Sequence, residues 1–370
     1  MSERRKPPFR ADHVGSLLRP ARLAEARAAG RAGTMPADEV RAVEDECIRE
    51  TVAMQEGLGL RAVTDGEFRR DWWHLDFLWG FEGIEPWEAL RAQSFSNAEQ
   101  PPMAKVTGRV RHPRGIFTDA FSFLSDTVSA AKGCVAKQTI PGPSMIHLRP
   151  GDEAVEPSVY PEMEGFWSDL VAAYRAEIRS LYNAGCRYLQ VDDVSFAYLC
   201  DDAMRGNIRK RGDDPDRLAV LYTRLLNEAV RDRPPDMAVT VHTCRGNFKS
   251  SWVASGGYGP VAETVLGGLD VDGLFMEFDS DRAGGFEPLE WVPRGRTVVL
   301  GLITTKTPEL EDVDTVRRRI DEAAKFVPLE NLCLSPQCGF SSTHHGNALS
   351  EDDQKRKLAL VVDIAKKVWG

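Results

Sequence analysis

Short apolar runs alternate with longer stretches of helical periodicity along most of this chain. A short apolar run bounded by polar or turn-forming residues is typical of a buried strand. We predict eight strands, at residues 8–14, 60–64, 135–140, 187–192, 237–242, 272–278, 297–304 and 332–336. Stretches in which apolar residues recur every three or four positions predict amphipathic helices, at residues 39–59, 161–184, 215–232, 314–326 and 350–369.

Two of the predicted helices carry recognisable end signals. Gly185 directly follows the stretch 161–184, and glycine readily adopts the left-handed conformation that ends a helix. Ser350 opens the last helix and is followed by three acidic residues, which suits an N-cap at the positive end of the helix dipole. These signals support the predicted boundaries.

The alternation of strands and helices predicts parallel strand pairing with helical crossovers. Eight such units in one chain favour an α/β fold of the (β/α)8 TIM-barrel type over an open doubly wound sheet. No GxGxxG motif follows the first predicted strand, which argues against dinucleotide binding of the Rossmann type. We expect residues 1–370 to form a single TIM-barrel domain.

The second strand–helix unit is longer than the others. Residues 70–134 contain the aromatic stretch WWHLDFLWGF, a polar stretch at 91–102 and the segment KVTGRVRHP. We interpret this part of the chain as an insertion after the second strand. We expect it to form a hairpin that partly covers the mouth of the barrel.

Composition and charge narrow the classes of partner. The chain has 47 Lys and Arg against 56 Asp and Glu, a net charge of −9 that argues against nucleic acid or an anionic membrane as partner. No apolar run is long enough to cross a bilayer, and the basic N-terminus lacks the apolar segment of a secretory signal. The seven scattered cysteines suit a reducing cytoplasm, with free thiols or metal ligation rather than disulfides.

Four potential metal ligands fall at the carboxyl ends of predicted strands. His242 and Cys244 close the fifth strand, Glu277 closes the sixth, and Cys338 follows the eighth. In an α/β barrel these ends form the active-site rim. Two sulfurs, one imidazole and one carboxylate can complete a tetrahedral zinc site. A rim carboxylate such as Glu277 could equally form an ion pair with Arg282.

Several segments resemble the catalytic barrel of cobalamin-independent methionine synthase, most closely the short single-barrel bacterial members of that family. The segments are HVGSLLRP (13–20), VTDGEFRR (63–70), LQVDD (189–193), VHTCRGNF (241–248), MEFDSDRAG (276–284), LGLITTKTPELE (300–311) and LSPQCGFSS (334–342). This resemblance implies a zinc-dependent methyltransferase in which the four rim residues bind Zn²⁺. The methyl acceptor would be a thiol, for which homocysteine is the best candidate, and the product would then be methionine.

Zinc chemistry gives these residues an expected role. A thiol bound to Zn²⁺ loses its proton and becomes a nucleophile. We expect the substrate sulfur to displace Glu277, because a carboxylate oxygen is the hardest donor of the four.

The resemblance also implies binding sites for the amino-acid part of the thiol. Family members hold it through residues that match Ser16, Glu67 and Asp192. Two carboxylates suit an ammonium group and would repel a sulfonate, which favours homocysteine over coenzyme M. For Asp192 and Asp193 the alternative is a helix N-cap or an ion pair with a local arginine, and we favour that alternative for Asp193. For Glu67 the alternative is an ion pair with Arg69 or Arg70 on a solvated loop.

The residues expected to bind the methyl donor differ from those of the family. The stretch GPSMIHLRP (142–150) lacks the tryptophan that stacks on folate, and Lys306 stands nearest to the position of a proton-handling histidine. We predict Lys306 and Asp192 as catalytic residues, and His13 and Arg282 as further substrate contacts. For His13 a purely structural role is the alternative. Trp72, Trp73 or Trp252 could instead supply the aromatic surface on which the donor stacks. The alternative is that these tryptophans only pack within the inserted loops.

The methyl donor and the reaction class stay open at this point. The donor could be a methylated folate, a methylated corrinoid on a partner protein, or a small methylated metabolite. One alternative function is an alkyltransferase that adds an epoxide or other electrophile to coenzyme M or another thiol. The other is a zinc- or thiol-binding barrel without catalysis.

Overall fold

The computed structural model describes residues 4, 6–87 and 102–370. Its strands are β1 Ala62–Val63, β2 Glu82–Trp87, β3 Met103–Arg111, β4 Val135–Ala136, β5 Gln138–Pro141, β6 Tyr188–Asp193, β7 Ala238–Thr243, β8 Gly273–Glu277, β9 Thr297–Ile303 and β10 Leu332–Pro336. Its α-helices are α1 Ala21–Arg31, α2 Ala37–Leu58, α3 Leu75–Leu78, α4 Thr118–Thr127, α5 Met163–Asn183, α6 Ser195–Tyr198, α7 Asp202–Lys210, α8 Pro215–Val230, α9 Val313–Ala323 and α10 Glu351–Trp369.

A parallel sheet of six strands forms the centre of the fold, in the order β10-β9-β8-β7-β6-β5. Every residue of β9 is buried, which explains why the strand appears in the sequence as one apolar run. Helices or helical turns connect successive strands, as parallel pairing requires. The α/β class and parallel pairing predicted from the sequence are therefore confirmed.

The remaining predicted strands lie beside this sheet but outside its six-stranded ladder. Strand β1 pairs in parallel with β4, and Lys137 alone separates β4 from β5. At the other edge, Ala11 forms a parallel bridge with Leu334 of β10. The first predicted strand thus lies beside the eighth, and the second beside the third.

Side-chain hydrogen bonds connect the first predicted strand to the second. The Thr64 hydroxyl donates to the Gly15 carbonyl at 2.6 Å, and His13 Nε2 lies 3.1 Å from the Ala62 carbonyl oxygen. No strand ladder joins these two segments within the part of the chain that is described. The predicted strand at 8–14 is consequently reduced to the bridge at Ala11.

The predicted helix ends agree with the structure. Ser350 caps α10 in a reciprocal capping box with Asp353. Helix α5 ends at Asn183, and Gly185 follows with a φ of +100°, a conformation that disfavours residues with a side chain.

The long second unit contains an antiparallel hairpin of β2 and β3, in which Ile84 faces Val106. Strand β3 packs against α5. Residues 88–101, which include most of the polar stretch noted at 91–102, lie outside the described residues.

The main core lies between the parallel sheet and its surrounding helices. A second apolar cluster joins α2 to α10 through residues such as Ile48, Val52 and Leu358. No helix of the described residues combines the length and apolar character needed to cross a membrane. All seven cysteines are unbridged.

Candidate metal centre

Three strand ends bring the four predicted metal ligands together. His242 lies in β7 and Cys244 directly follows it, while Glu277 is the last residue of β8. Cys338 lies two residues beyond the end of β10. Parallel strands that end at one edge of a sheet present their terminal side chains to the same region, so these four residues converge.

The four side chains are buried and close enough to share one metal ion. One donor atom from each of His242, Cys244, Glu277 and Cys338 lies within 4.8 Å of the other three. The two sulfurs are 3.4 Å apart. Across the described ranges, this is the one group of three or more such side chains with metal-binding spacing.

His242 is almost completely buried, and neither ring nitrogen has a hydrogen-bond partner of normal geometry. A buried polar atom without a partner costs free energy, so such an atom usually marks a ligand position. Burial lowers the pKa of His242, but the neighbouring Cys338, Asp192 and Glu277 outweigh it and raise the pKa above 6.5.

The contact between the two cysteine thiols shifts their pKa values in opposite directions. A hydrogen bond from Cys244 holds the pKa of the Cys338 thiol well below its usual value, although burial opposes this effect. The same contact raises the pKa of Cys244, and burial adds to the rise. The pKa of the Cys338 thiol is thus the lower of the two, which favours its deprotonation on metal binding.

Glu277 is held by nitrogen donors on both carboxylate oxygens. Its Oε1 accepts a hydrogen bond from the Arg245 backbone amide at 2.8 Å, and its Oε2 lies 3.2 Å from the Arg282 guanidinium. Burial raises the pKa of Glu277, and the charge of Lys306 opposes that rise.

This donor set fits zinc. Two sulfurs, an imidazole and a carboxylate are the ligand types of tetrahedral zinc sites, and here all four are buried. The unpartnered imidazole nitrogens of His242 would be satisfied by such an ion.

A pocket opens beside this centre and contains the predicted substrate-binding residues. It encloses about 650 Å³ of empty space, part of which is open to solvent. Its lining includes Ser16, Glu67, Asp192, His242, Cys244 and Cys338. The structure thus brings the predicted head-group residues and three of the four metal ligands into one pocket, while Glu277 lies behind the lining.

The two pocket carboxylates are held in place by neighbouring strands. Asp192 is the penultimate residue of β6, pairs in register with His242 and accepts a hydrogen bond from Gln190 at 2.7 Å. Burial raises the pKa of Asp192 to about 7, and the charge of Glu67 adds to the rise. Glu67 Oε1 accepts a hydrogen bond from Thr139 at 2.7 Å and lies 3.5 Å from the Arg70 guanidinium, whereas its buried Oε2 has no hydrogen-bond partner.

Lys306 lies close to the metal centre but does not line the pocket. Its ammonium donates to the Asn247 side-chain oxygen at 3.1 Å, and Asn247 is the residue that reaches the lining. The charge of Lys306 contributes to lowering the pKa of Cys338, after the larger effects of Cys244 and His242.

The structure places two predicted substrate contacts outside the pocket lining. His13 is buried between the first two strand segments, and burial lowers its pKa to about 4. This position matches the structural alternative, because the ring is held by the Ala62 carbonyl. Arg282 is occupied by Glu277 and Asp279, as the ion-pair alternative anticipated.

Asp193 lies one residue before Val194, the N-cap of α6, so it has a structural role without being the N-cap itself. Its carboxylate accepts hydrogen bonds from the backbone amide and hydroxyl of Ser195 and from the hydroxyl of Ser144. Ser195 begins α6, so Asp193 stabilises the start of that short helix.

The insertion contributes aromatic residues to the pocket. Trp72, Trp73 and His74 line it, whereas Trp252 does not. The Trp72 ring lies 5.7 Å from that of His344, and Phe248 lies 5.2 Å from His345. Among the aromatic candidates, the structure brings Trp72 and Trp73 to the site.

Sequence analysis did not identify the residues that hold the predicted ones in place. Thr139 and Gln190 orient the carboxylates, and Arg245 and Asn247 contact Glu277 and Lys306 as described above. A signal existed for the first two, because a polar residue inside a fully buried strand needs a partner.

Comparisons with known proteins identify the family. A family model described as the catalytic domain of cobalamin-independent synthase matches residues 9–367. The uncharacterized Bacillus subtilis protein YxjH is 47% identical over 369 residues, which cover 99% of this chain and 96% of YxjH.

Two solved structures are similar along nearly their whole length. A Listeria monocytogenes protein, provisionally described as a vitamin-B12 independent methionine synthase, shares 41% identity over 99% of both chains with a TM-score of 0.79. A B12-independent methionine synthase from Shewanella sp. W3-18-1, solved with selenomethionine, shares the fold with a TM-score of 0.71 at 20% identity over 96% of each chain. With the match of the family model to residues 9–367, these similarities show that the chain belongs to the cobalamin-independent methionine synthase family, in its short form.

Proposed function

We propose that this protein is a zinc-dependent methyltransferase that transfers a methyl group to the sulfur of homocysteine and forms methionine. The observation that carries the proposal is the convergence of four metal-binding side chains with two buried carboxylates beside one pocket. The methyltransferase chemistry follows from the family, and the acceptor from the charge of the pocket.

His242, Cys244, Glu277 and Cys338 would hold the zinc ion. Bound there, Zn²⁺ would stabilise the thiolate of a substrate whose free thiol has a pKa near ~8.5. The four donor atoms already lie within 4.8 Å of one another, and His242 offers unpartnered ring nitrogens, so the chain needs little rearrangement to bind the ion.

Ser16, Glu67 and Asp192 would bind the amino-acid part of homocysteine. The unpartnered Glu67 Oε2 can accept a hydrogen bond from an ammonium group, and Asp192 supplies a second carboxylate beside His242. Such pairing would satisfy the one carboxylate oxygen of Glu67 that lacks a hydrogen-bond partner. The same two charges disfavour the sulfonate of coenzyme M, which makes the epoxide alkyltransferase the weaker alternative.

Lys306, Trp72 and Trp73 would serve the transfer step. Lys306 places a positive charge near the metal ligands and is oriented by Asn247, and we assign it a catalytic role with Asp192. The two tryptophans cover the pocket and limit the access of water to the reacting sulfur. The experiment below compares three classes of methyl donor. They are a methylated folate, a methylated corrinoid on a partner protein and a small methylated metabolite.

We further propose that the chain forms one closed (β/α)8 barrel in the cytoplasm. The bridge between Ala11 and Leu334 and the pairing of β1 with β4 support closure, because they link the sheet edges to the first two strand segments. The seven unbridged cysteines support a reducing compartment.

A panel of methyl donors offered with homocysteine tests the function. The proposal predicts methionine from at least one donor class, in zinc-loaded but not in zinc-free protein. A non-catalytic zinc-binding barrel would bind homocysteine without forming methionine from any donor. Product formed with coenzyme M and an epoxide, but not with homocysteine, would instead identify the alkyltransferase.

A further inference from the structure

The four metal-binding side chains differ in what else they contact. The two cysteines contact each other, and His242 has no hydrogen-bond partner of normal geometry. Only Glu277, among these four, already has a nitrogen donor on each of its liganding atoms. Glu277 is therefore the ligand that can leave a metal ion and still be stabilised by the protein.

We infer that Arg282 is a positioning residue that receives the Glu277 carboxylate when a substrate thiol takes its place among the metal ligands. This inference rests on the proposed function, since it requires a thiol that binds the metal. Arg282 itself touches neither the substrate pocket nor the other three ligands in the described contacts.

Burial makes such a partner necessary. Glu277 is 0% exposed, so its carboxylate cannot reach water after it leaves the metal. An isolated buried carboxylate is strongly disfavoured unless an opposite charge and hydrogen bonds compensate it. The Arg282 guanidinium at 3.2 Å supplies the charge, and the Arg245 amide supplies a second hydrogen bond.

Arg282 is itself fixed in position. Its guanidinium is 2.7 Å from Asp279 and donates to the Ser280 hydroxyl at 3.0 Å. It also lies over the Trp252 ring at 5.0 Å from the ring centre. A guanidinium held on several sides is preorganised and loses little side-chain entropy when it binds the carboxylate.

Glu277 and Arg282 do not obstruct the pocket through which a substrate thiol would enter. His242, Cys244 and Cys338 line the pocket, whereas Glu277 and Arg282 do not. A thiol that enters through the pocket therefore approaches the three lining ligands, while the carboxylate can withdraw toward Arg282 on the other side.

Other nearby cations do not take this role. Lys306 donates to Asn247, and the Arg245 guanidinium stacks on the Tyr258 ring at 4.5 Å. Within the described part of the chain, Arg282 is the cationic side chain that contacts the Glu277 carboxylate.

Thiol binding to the Co²⁺-loaded protein tests the inference, because cobalt absorption reports a new sulfur ligand without turnover. The variant is Arg282→Gln, and the probes are homocysteine and 2-mercaptoethanol, which lacks the amino-acid part. The matched control is Arg205→Gln: Arg205 is 11% exposed against 10% for Arg282, and it pairs with Asp216 at 2.8 Å outside the pocket lining.

We expect Arg282→Gln to keep its metal affinity within about threefold and to bind both thiols about tenfold more weakly, as the loss of a charge-assisted hydrogen bond predicts. Arg282→Lys should recover part of the loss. In a Glu277→Gln background the Arg282→Gln change should have no further effect, since no charged carboxylate remains to be held. Arg205→Gln should leave thiol affinity unchanged.

Unchanged thiol affinity in Arg282→Gln, or an equal additional loss in the Glu277→Gln background, would overturn the inference. Parallel loss of metal affinity, thiol affinity and melting temperature would also overturn it, since that pattern indicates a structural role. If the unsubstituted protein binds 2-mercaptoethanol but not homocysteine, homocysteine is not the acceptor and the proposed function is wrong. The comparison of Arg282→Gln with the unsubstituted protein, using 2-mercaptoethanol, then still tests the role of Arg282. A wild-type site that binds neither thiol overturns both.

Discussion

The sulfurs of Cys244 and Cys338 lie 3.4 Å apart although they follow strands β7 and β10, which are separated by two other strands. Neighbouring strands are about 4.8 Å apart, so a flat sheet would place the ends of these two strands about 14 Å apart. The sheet must therefore curve strongly at its carboxyl edge. This curvature brings residues 94 positions apart in the sequence to one metal-binding centre.

Replacing Cys338 by Ser should abolish metal binding and activity together. Cys338 supplies one of the two sulfurs of the cluster, and a serine hydroxyl is a much poorer zinc ligand at neutral pH. We expect zinc affinity to fall by about 100-fold or more, measured by competition with a chelator. The matched control is Cys134→Ser, because Cys134 lies outside the cluster and should bind zinc normally. Full zinc content in Cys338→Ser would be inconsistent with the assigned ligand set.

The pocket carboxylates should control thiol affinity without affecting the metal. Glu67→Gln and Asp192→Asn each remove a charge that can pair with the ammonium group of homocysteine. We expect the KM for homocysteine to rise about 10-fold to 100-fold, the range for losing a charge-assisted hydrogen bond. Zinc content and the affinity for 2-mercaptoethanol should not change. An equal loss for both thiols would show that the carboxylates act on the metal rather than on the head group.

Lys306 should matter for the transfer step. Its charge lies near the anionic ligands, so Lys306→Gln should lower kcat by about tenfold or more while zinc affinity falls less than tenfold. The solvent-exposed Lys355→Gln is the control and should have unchanged kinetics. If kcat is retained in Lys306→Gln, the catalytic assignment is wrong and the residue has only a structural contact with Asn247.

His13 should make folding stability depend on pH. Burial lowers its pKa from 6.5 to about 4, so the unfolded chain binds a proton between these values that the folded chain does not. The free energy of unfolding should therefore fall as pH decreases from 6.5 to 4, by about 3 kcal/mol from this residue, and not change further below that range.

His13→Gln isolates this contribution. Glutamine can still donate to the Ala62 carbonyl but does not titrate. Denaturant unfolding at several pH values should show a smaller loss of stability between pH 6.5 and 4 than in the unsubstituted protein. An identical pH dependence in both proteins would mean that His13 is protonated in the folded state.

The strands were predictable where parallel pairing buries both faces. Strands β6 to β10 appear in the sequence as apolar runs because every side chain except that of Ala238 is buried. The strand predicted at 8–14 is only a bridge, because side chains of His13 and Thr64 replace backbone pairing there. Short helices such as α3 and α6 have too few residues to show a periodicity.

The convergence of the four candidate metal ligands was predictable because strand ends share one rim, but side-chain orientation was not. His13 and Asp192 both lie at the ends of predicted strands, yet the His13 ring contacts the Ala62 carbonyl and the Asp192 carboxylate reaches the pocket. The Arg282–Glu277 contact depends on the path of a loop that no spacing rule defines. Trp72 and Trp73 lie in an insertion and line the pocket. No periodic pattern in the sequence predicts the path of that insertion.

X-ray absorption at the zinc edge, recorded with and without homocysteine, tests the central claim most directly. Without the thiol, the account predicts two sulfur and two nitrogen or oxygen neighbours around zinc, from Cys244, Cys338, His242 and Glu277. With homocysteine, it predicts three sulfurs and one nitrogen or oxygen. A sulfur count that stays at two when homocysteine is saturating would contradict the account.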